Sequence, residues 1–183
     1  MQNVFPLYFS SSSITNVLKY FQMNVSAMSS TDGKAALDAL RWESVRRLTF
    51  RGGWPHGDAQ GFTNAEMACF GFYYTGIGDN AKCAFCWLEI KQWNTGLRGL
   101  EGTVATCHKR ASPTCPFVLG QDVKNIPLNP VTGQDILDYG KAFEITRLNL
   151  KLAGQLPLGM SDGTSAPAAV AAAFPPADPP GMT

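Results

Sequence analysis

Apolar side chains recur at Leu37, Leu40, Trp42, Val45 and Leu48, close to the 3.6-residue period of a helix that buries one face. The pattern predicts a helix capped by Thr31 or Asp32 that runs through Ala35–Leu40 toward Phe50. Thr63 followed three residues later by Glu66 is a capping-box signature and predicts a short helix over Asn64–Phe70. The period then shortens. Phe72–Thr75, Lys82–Phe85 and Glu89–Trp93 read as three short strands, with Gly76, Gly78, Asp79 and Asn80 supplying the first turn. Thr103 is placed to cap a further helix that carries His108. Ile136, Leu137, Phe143, Leu148, Leu150 and Leu152, spaced among polar residues, predict a last helical segment within 134–153 that starts near Gln134 or Asp135. In the first stretch of the chain, Val17, Leu18, Phe21 and Met23 fit only a short amphipathic helix over Ile14–Met23.

Composition divides the 183 residues into one domain and tails. Residues 1–34, with a Ser run from Ser10 to Ser13, read as a flexible segment. Residues 35–124 read as the folded domain, 125–153 as a C-terminal helix, and 154–183, rich in Ala, Pro and Gly, as a disordered tail. Fifteen basic against fourteen acidic side chains give no strong field, so neither nucleic acid nor an anionic membrane is expected as partner. The sequence holds no run of eighteen apolar residues, and the first residues lack the basic and apolar regions of a signal peptide. Five cysteines would leave an odd thiol in a secreted disulfide framework, whereas metal binding in a reducing compartment accommodates them. The expectation is a cytoplasmic protein, with the nucleus as the other compartment of that kind.

The thiols carry the candidate chemistry. Cys83-Ala84-Phe85-Cys86 puts two donors on one tight turn, and His108 with Cys115 follows after a gap. Cys-x2-Cys…His-x6-Cys is the spacing with which two chain segments close a tetrahedron around Zn2+. The bland alternative is five unrelated thiols, and aromatic surroundings on both halves (Phe85 and Trp93, then Phe117) weigh against it. Cys107 competes with His108, because neighbours on a helix point about 100° apart and only one faces a given ion. Four protein donors leave no position for a water to be activated, which argues against a zinc hydrolase. A cysteine protease built on Cys107 or Cys69 lacks a Gly-rich nucleophile turn and an orienting carboxylate, so no enzyme activity is expected. Cys69 reads as a small buried hydrophobe and His56 as an exposed loop histidine. A nucleic-acid-binding finger would need more basic residues than Lys109 and Arg110 on the 103–110 helix.

In order, the chain shows Arg46, Thr49-Phe50, Trp54-Pro55, Gly71-Phe72-Tyr73-Tyr74-Thr75-Gly76, the Cys pair, Trp93, and His108 through Cys115-Pro116-Phe117-Val118. This run closely resembles the baculoviral IAP repeat (BIR) of the inhibitor-of-apoptosis family. The resemblance implies a small α+β zinc-binding domain, a three-stranded antiparallel sheet packed with four to five short helices. It selects His108 over Cys107 and implies one structural Zn2+ on Cys83, Cys86, His108 and Cys115. Three thiolates would leave that site at about −1, to be offset by Lys82, Lys109 and Arg110. It implies a single repeat, and no second Cys/His set follows that would form a RING domain. Four departures stand out. One extra residue separates Phe50 from Trp54, and Phe70 takes a usually small position. Trp87, Leu88 and Glu89 occupy a turn that normally holds Gly, and 94–107 is several residues longer than usual, with Gly96, Gly99 and Gly102 where an acidic-Pro-Trp start is common.

Functionally the resemblance implies a protein-interaction module in apoptosis regulation or signalling. Groove-bearing repeats receive a peptide on the third strand, Glu89, Ile90, Lys91, Gln92 and Trp93 in this chain, and hold its free N-terminal Ala with acidic side chains. Such a repeat would bind caspases or antagonist peptides and inhibit cysteine proteases. Type I repeats lack the groove and dock on signalling adaptors. Ala111, three residues after His108, matches the small residue of type I repeats, and 94–99 carries no carboxylate, which leaves Glu101 or Glu89 as the substitutes for the acidic group. The type I reading is therefore expected.

Overall fold

The computed structural model describes residues 37–57, 62–93 and 102–157. The expectations for residues 1–34, for the long segment at 94–101 and for the tail beyond 157 lie outside the described residues.

Helix α1 spans Glu43–Thr49 and does not continue the periodic stretch before it. Trp42 is extended (φ −82°, ψ 121°) and forms a parallel bridge with Ile126. The Glu43 amide donates to the Ile126 carbonyl at 2.9 Å, and the Ile126 amide donates to the Arg41 carbonyl at 2.9 Å. A distant segment therefore breaks the expected long helix by giving Trp42 a strand-like partner. Glu43 in the first turn and Arg46 and Arg47 in the last complement the helix ends. One turn of 3-10 helix follows at Phe50–Gly52, and Gly53 at φ 128° closes it. That turn absorbs the extra residue before Trp54, in backbone space open to glycine.

Helix α2, Asn64–Cys69, starts with the expected capping box. The Glu66 amide donates to Thr63 Oγ1 at 3.2 Å, and the Thr63 amide donates to Glu66 Oε2 at 3.1 Å. The sheet follows: β1 at Phe72–Tyr74, β2 at Ala81–Cys83 and β3 at Glu89–Ile90, antiparallel in the order β1-β2-β3. Phe72 lies opposite Cys83 and Lys82 opposite Glu89. β3 is shorter than expected. Gln92 turns the chain at φ 60°, and Asp79 accepts the Gln92 amide at 3.0 Å and the Trp93 amide at 2.9 Å. Those bonds replace ladder pairing at residues 92 and 93.

Helix α3, Val104–Ala111, is capped by Thr103, whose hydroxyl accepts the Thr106 amide at 3.3 Å. Helix α4, Tyr139–Leu152, starts at Asp138, which accepts the Lys141 amide at 3.0 Å. Its start lies beyond Gln134 and Asp135 because Asp135 bridges Leu128 and the Ile136 amide donates to the Pro127 carbonyl. The core is largely aromatic. Phe50, Trp54, Phe62, Phe72, Tyr74 and Trp93 meet edge-on around the sheet, with Met67, Val104, Phe117 and Val118 closing it. Phe70 is accommodated as a half-buried ring on the edge of this core.

The segment past residue 124 packs on the rest of the domain. Asn125 and Ile126 are buried, α4 buries Ala142, Thr146 and Leu150, and Leu150 joins the core. Past the helix, Gln155 is buried, Leu156 packs on the core and Lys109 Nζ donates to the Gln155 carbonyl at 2.9 Å. The C-terminal arm is part of the folded unit at least to residue 156. Among the described residues no helix is long and apolar enough to cross a membrane.

Candidate metal centre

The β2 end and the turn after it supply the first two donors. Cys83 closes β2, its amide donates to the Leu88 carbonyl at 2.8 Å, and the Trp87 amide donates back to the Cys83 carbonyl at 3.1 Å. This knuckle turns Cys86 back beside Cys83. It requires a left-handed residue, and Trp87 takes φ 63° where Gly is usual. The exposed indole is covered in part by the Lys82 ammonium, 5.7 Å from its centroid. Gly71 (φ 88°) lets the Ala84 amide reach the Gly71 carbonyl, and a Cβ there would sit 3.2 Å from the Phe85 ring.

α3 delivers His108, and Cys115 follows the helix. The Sγ atoms of Cys83, Cys86 and Cys115 and a ring nitrogen of His108 lie within 4.8 Å of one another. Tetrahedral Zn2+ with Zn–S of about 2.3 Å needs sulfur–sulfur edges of roughly 3.8 Å, so the donor set fits with small adjustments. Cys86 Sγ and His108 Nε2 are already 3.6 Å apart. His108 Nδ1 lies 3.1 Å from the Phe70 carbonyl, which fixes Nδ1 as the donor and leaves the Nε2 lone pair facing the thiols. The Phe85 amide donates to Cys83 Sγ at 3.3 Å, a bond that favours thiolate. His108 is packed between Phe72 (4.6 Å between centroids) and Phe117 (6.2 Å, stacked).

The cluster polarises itself. Burial pushes the Cys83 thiol up, and its neighbours Cys115 and Cys86 push it further. Cys86, less enclosed, is pulled down by hydrogen bonds from Cys115 and Cys83. Burial opposes charge on His108, but contacts with Cys115 and Cys86 outweigh it and raise the imidazole to about 9. Metal binding requires the three thiols deprotonated and the imidazole neutral.

Cys107 is not in the cluster. It is buried in the core on another side of α3, as the rotation between adjacent helical residues requires. Burial pushes its thiol up, and burial pushes Cys69, whose Sγ accepts from Asn149 Nδ2, up to about 12. Neither has the depressed pKa of a nucleophile. Of the cations expected near the site, Lys82 covers Trp87 and Lys109 binds Gln155. The buried cation that interacts with Cys83, and with Cys69 outside the cluster, is Arg46, missed in this role because it lies thirty-seven positions before Cys83 in the chain. It is fully buried, 5.3 Å from the Phe85 centroid, and donates to the carbonyls of Ala68, Leu40 and Arg41 and to Asn125 Oδ1 at 2.7–3.0 Å.

The expected peptide surface is split. Glu89, Lys91 and Gln92 are exposed and Ile90 is half-buried, but Trp93 is 0% exposed. It packs on Trp54, Phe62 and Phe72 and donates Nε1–H to the Ile90 carbonyl at 3.2 Å, so it belongs to the core and not to a partner surface. Glu89 accepts from Asn80 Nδ2 at 2.7 Å and pairs with Lys91 at 3.2 Å. His56 also departs from expectation. It is buried, edge-on to Trp54 at 5.0 Å, and its Nε2 lies 3.3 Å from Asp79 Oδ2.

The profile described as "Inhibitor of Apoptosis domain", the BIR, matches residues 46–119, from Arg46 to just past the last thiol. Residues 46–119 are a BIR repeat. The repeat is similar to that of the "Apoptosis inhibitor IAP" of Cydia pomonella granulosis virus, 45% identical over 85 residues, which are 46% of this chain and 27% of that protein. It is similar also to the "E3 ubiquitin-protein ligase XIAP" of Xenopus laevis, 32% identical over 136 residues, 69% of this chain and 26% of that protein. The chain therefore spans about a quarter of the length of these relatives. A solved structure, the "DIAP1 BIR1 bound to a Grim peptide", is 29% identical with a TM-score of 0.43 and covers 58% of this chain and 90% of that one. The three-stranded antiparallel sheet with several helices and the Cys/His cluster agree with the fold expected of a BIR repeat.

Proposed function

We propose that the chain is an inhibitor-of-apoptosis-like interaction module. One structural Zn2+ on Cys83, Cys86, His108 and Cys115 supports the fold, and the repeat docks on signalling proteins as a type I repeat without an N-terminal-Ala groove. Bound there, the ion would crosslink the β2 knuckle to α3 and supply folding free energy. Four protein donors and two buried, high-pKa thiols support a role in binding and not in catalysis, in the cytoplasm or nucleus. The observation that carries the type I reading is the engagement of Glu89. Its carboxylate, the acidic group of β3, is held below the usual range by Asn80 first and by Lys91 next. A peptide ammonium docking beside it would meet a carboxylate whose charge the Lys91 ammonium already offsets at Oε1, and would compete with that cation. Ala111 is small and exposed, and Trp93 is internal, so neither walls a pocket.

A fluorescent Ala-Val-Pro-Ile peptide titrated into the zinc-loaded protein tests the reading. Binding weaker than about 100 µM is expected. A dissociation constant near 1 µM, about −8 kcal/mol, contradicts it and favours the groove-bearing alternative that takes caspases or antagonist peptides.

A further inference from the structure

The five cysteines are all free thiols, and their surroundings are unequal. Cys83, Cys107 and Cys115 are buried in the core, whereas Cys69 and Cys86 are half-buried. Cys69 lies outside the cluster, and its Sγ accepts from Asn149 Nδ2. Cys86 is therefore the half-buried thiol with other sulfurs beside it, since the Sγ atoms of Cys83 and Cys115 lie within 4.8 Å. A disulfide holds its sulfurs about 2.05 Å apart, so closure asks for a movement of about 3 Å at most.

The two neighbours of Cys86 are not equivalent. Cys83 and Cys86 share the knuckle, whose bonds from the Cys83 amide to the Leu88 carbonyl and from the Trp87 amide to the Cys83 carbonyl close on themselves. Cys115 belongs to the segment after α3, and Phe117, two residues on, is stacked on Phe85 at 4.9 Å. Drawing Cys115 onto Cys86 would work against that packing. A Cys83–Cys86 bond closes inside one turn, at the Cys-x-x-Cys spacing of thiol redox motifs.

We propose that Cys86 is the point at which peroxide enters the cluster, and that a Cys83–Cys86 disulfide switches the repeat off. The proposal rests on the reading of the cluster as a zinc site and names the regulation of that site. The Cys86 thiolate attacks one oxygen of hydrogen peroxide; an S–O bond forms, the O–O bond breaks and hydroxide leaves. The Cys83 thiolate then attacks the Cys86 sulfur; the S–S bond forms, the S–O bond breaks and a second hydroxide leaves. Two protons from solvent turn both hydroxides into water. The sulfurs lose two electrons and the peroxide gains them. Cys115 and His108 then remain as donors, two short of a structural site, and the crosslink between knuckle and α3 is lost. A thiol reductant breaks the disulfide again and returns both donors.

Hydrogen peroxide added to the zinc-loaded full chain tests this, with released zinc read by a colorimetric chelator and thiols mapped by peptide mass spectrometry. One zinc is expected to leave per Cys83–Cys86 disulfide formed, while Cys69 and Cys107 stay as thiols. Dithiothreitol with added zinc is expected to restore both zinc content and the melting transition. Cys86→His keeps four donors but removes the reactive sulfur, and its zinc release is expected to be at least about tenfold slower. Cys69→Ser is expected to release zinc at the wild-type rate. The wild-type map decides the pairing independently of either variant. A chain that carries no zinc before peroxide is added contradicts the zinc reading and the proposal with it. A loaded chain that keeps its zinc while its thiols oxidise overturns the proposal alone. So does a first disulfide through Cys115, or a loaded Cys86→His chain that empties as fast as wild type.

Discussion

Three residues carry costs that the rest of the repeat offsets. Arg46 brings a guanidinium into a site with no exposure, and burial pulls its pKa down although Glu43 opposes the shift. Three carbonyls, the Asn125 amide oxygen and the Phe85 ring hold it, a geometry that lysine cannot reproduce. Arg46→Lys should lower stability by about 3 kcal/mol in urea unfolding of the zinc-loaded protein, since donors are lost while a buried charge remains. Trp87 sits in a left-handed turn that costs a non-glycine residue about 1 kcal/mol. Replacing it by glycine relieves that cost, but loosens the unfolded chain and removes the Lys82 contact, each by about 0.5–1 kcal/mol. Trp87→Gly should therefore shift stability by less than about 1 kcal/mol, and a larger loss would show that the indole supports the knuckle. Glu43 is raised above its ordinary 4.5 by burial, against the pull of Arg46. In the window just above 4.5 the folded chain holds a proton that the unfolded chain has released. Its contribution to stability is therefore fully present below that value and declines as pH rises. Glu43→Gln should flatten that decline in thermal melts of the zinc-loaded protein between pH 5 and 8.

At the scale of elements, the C-terminal arm is the part least like a detachable tail. Ile126 pairs with Trp42, Asn125 binds both Arg46 and Thr146, and Lys109 holds the Gln155 carbonyl. A chain ending at 157 should melt as the full chain does. One ending at 138, without α4, should lose several kcal/mol, because Leu150 and Thr146 leave buried partners behind. Equal melting temperatures for both would show that the arm contributes little. Local signals made α2 and α3 legible in the sequence, since Thr63 with Glu66 and Thr103 with Thr106 are caps within one turn. The elements that were misplaced depend on partners far along the chain. Trp42 leaves the helix because of Ile126, β3 ends early because Asp79 takes the Gln92 and Trp93 amides, and His56 is buried because its ring packs on Trp54 and Phe62 and meets Asp79. Spacing along the chain does not encode those meetings. It does encode the metal cluster, because a knuckle and a helix each present their donors at fixed offsets, and only the choice between Cys107 and His108 needed the family pattern.

At the scale of the whole molecule, a small aromatic core and a single cluster hold two halves together: the sheet with its knuckle, and α3 with the arm that follows. A core of this size is marginal without a crosslink, and a structural zinc site supplies on the order of 10 kcal/mol. Removal of the ion should therefore unfold the repeat cooperatively and not merely soften it. Mild acid should do the same by protonating the thiolates and the imidazole.

Zinc content measured by atomic emission, together with thermal melting, on wild type, His108→Ala and Cys107→Ala tests the central claim most directly. The account predicts one zinc per chain in wild type and in Cys107→Ala, and loss of both zinc and the melting transition in His108→Ala. Full zinc in His108→Ala with loss in Cys107→Ala, or a wild-type melt unchanged after verified metal removal, would contradict it.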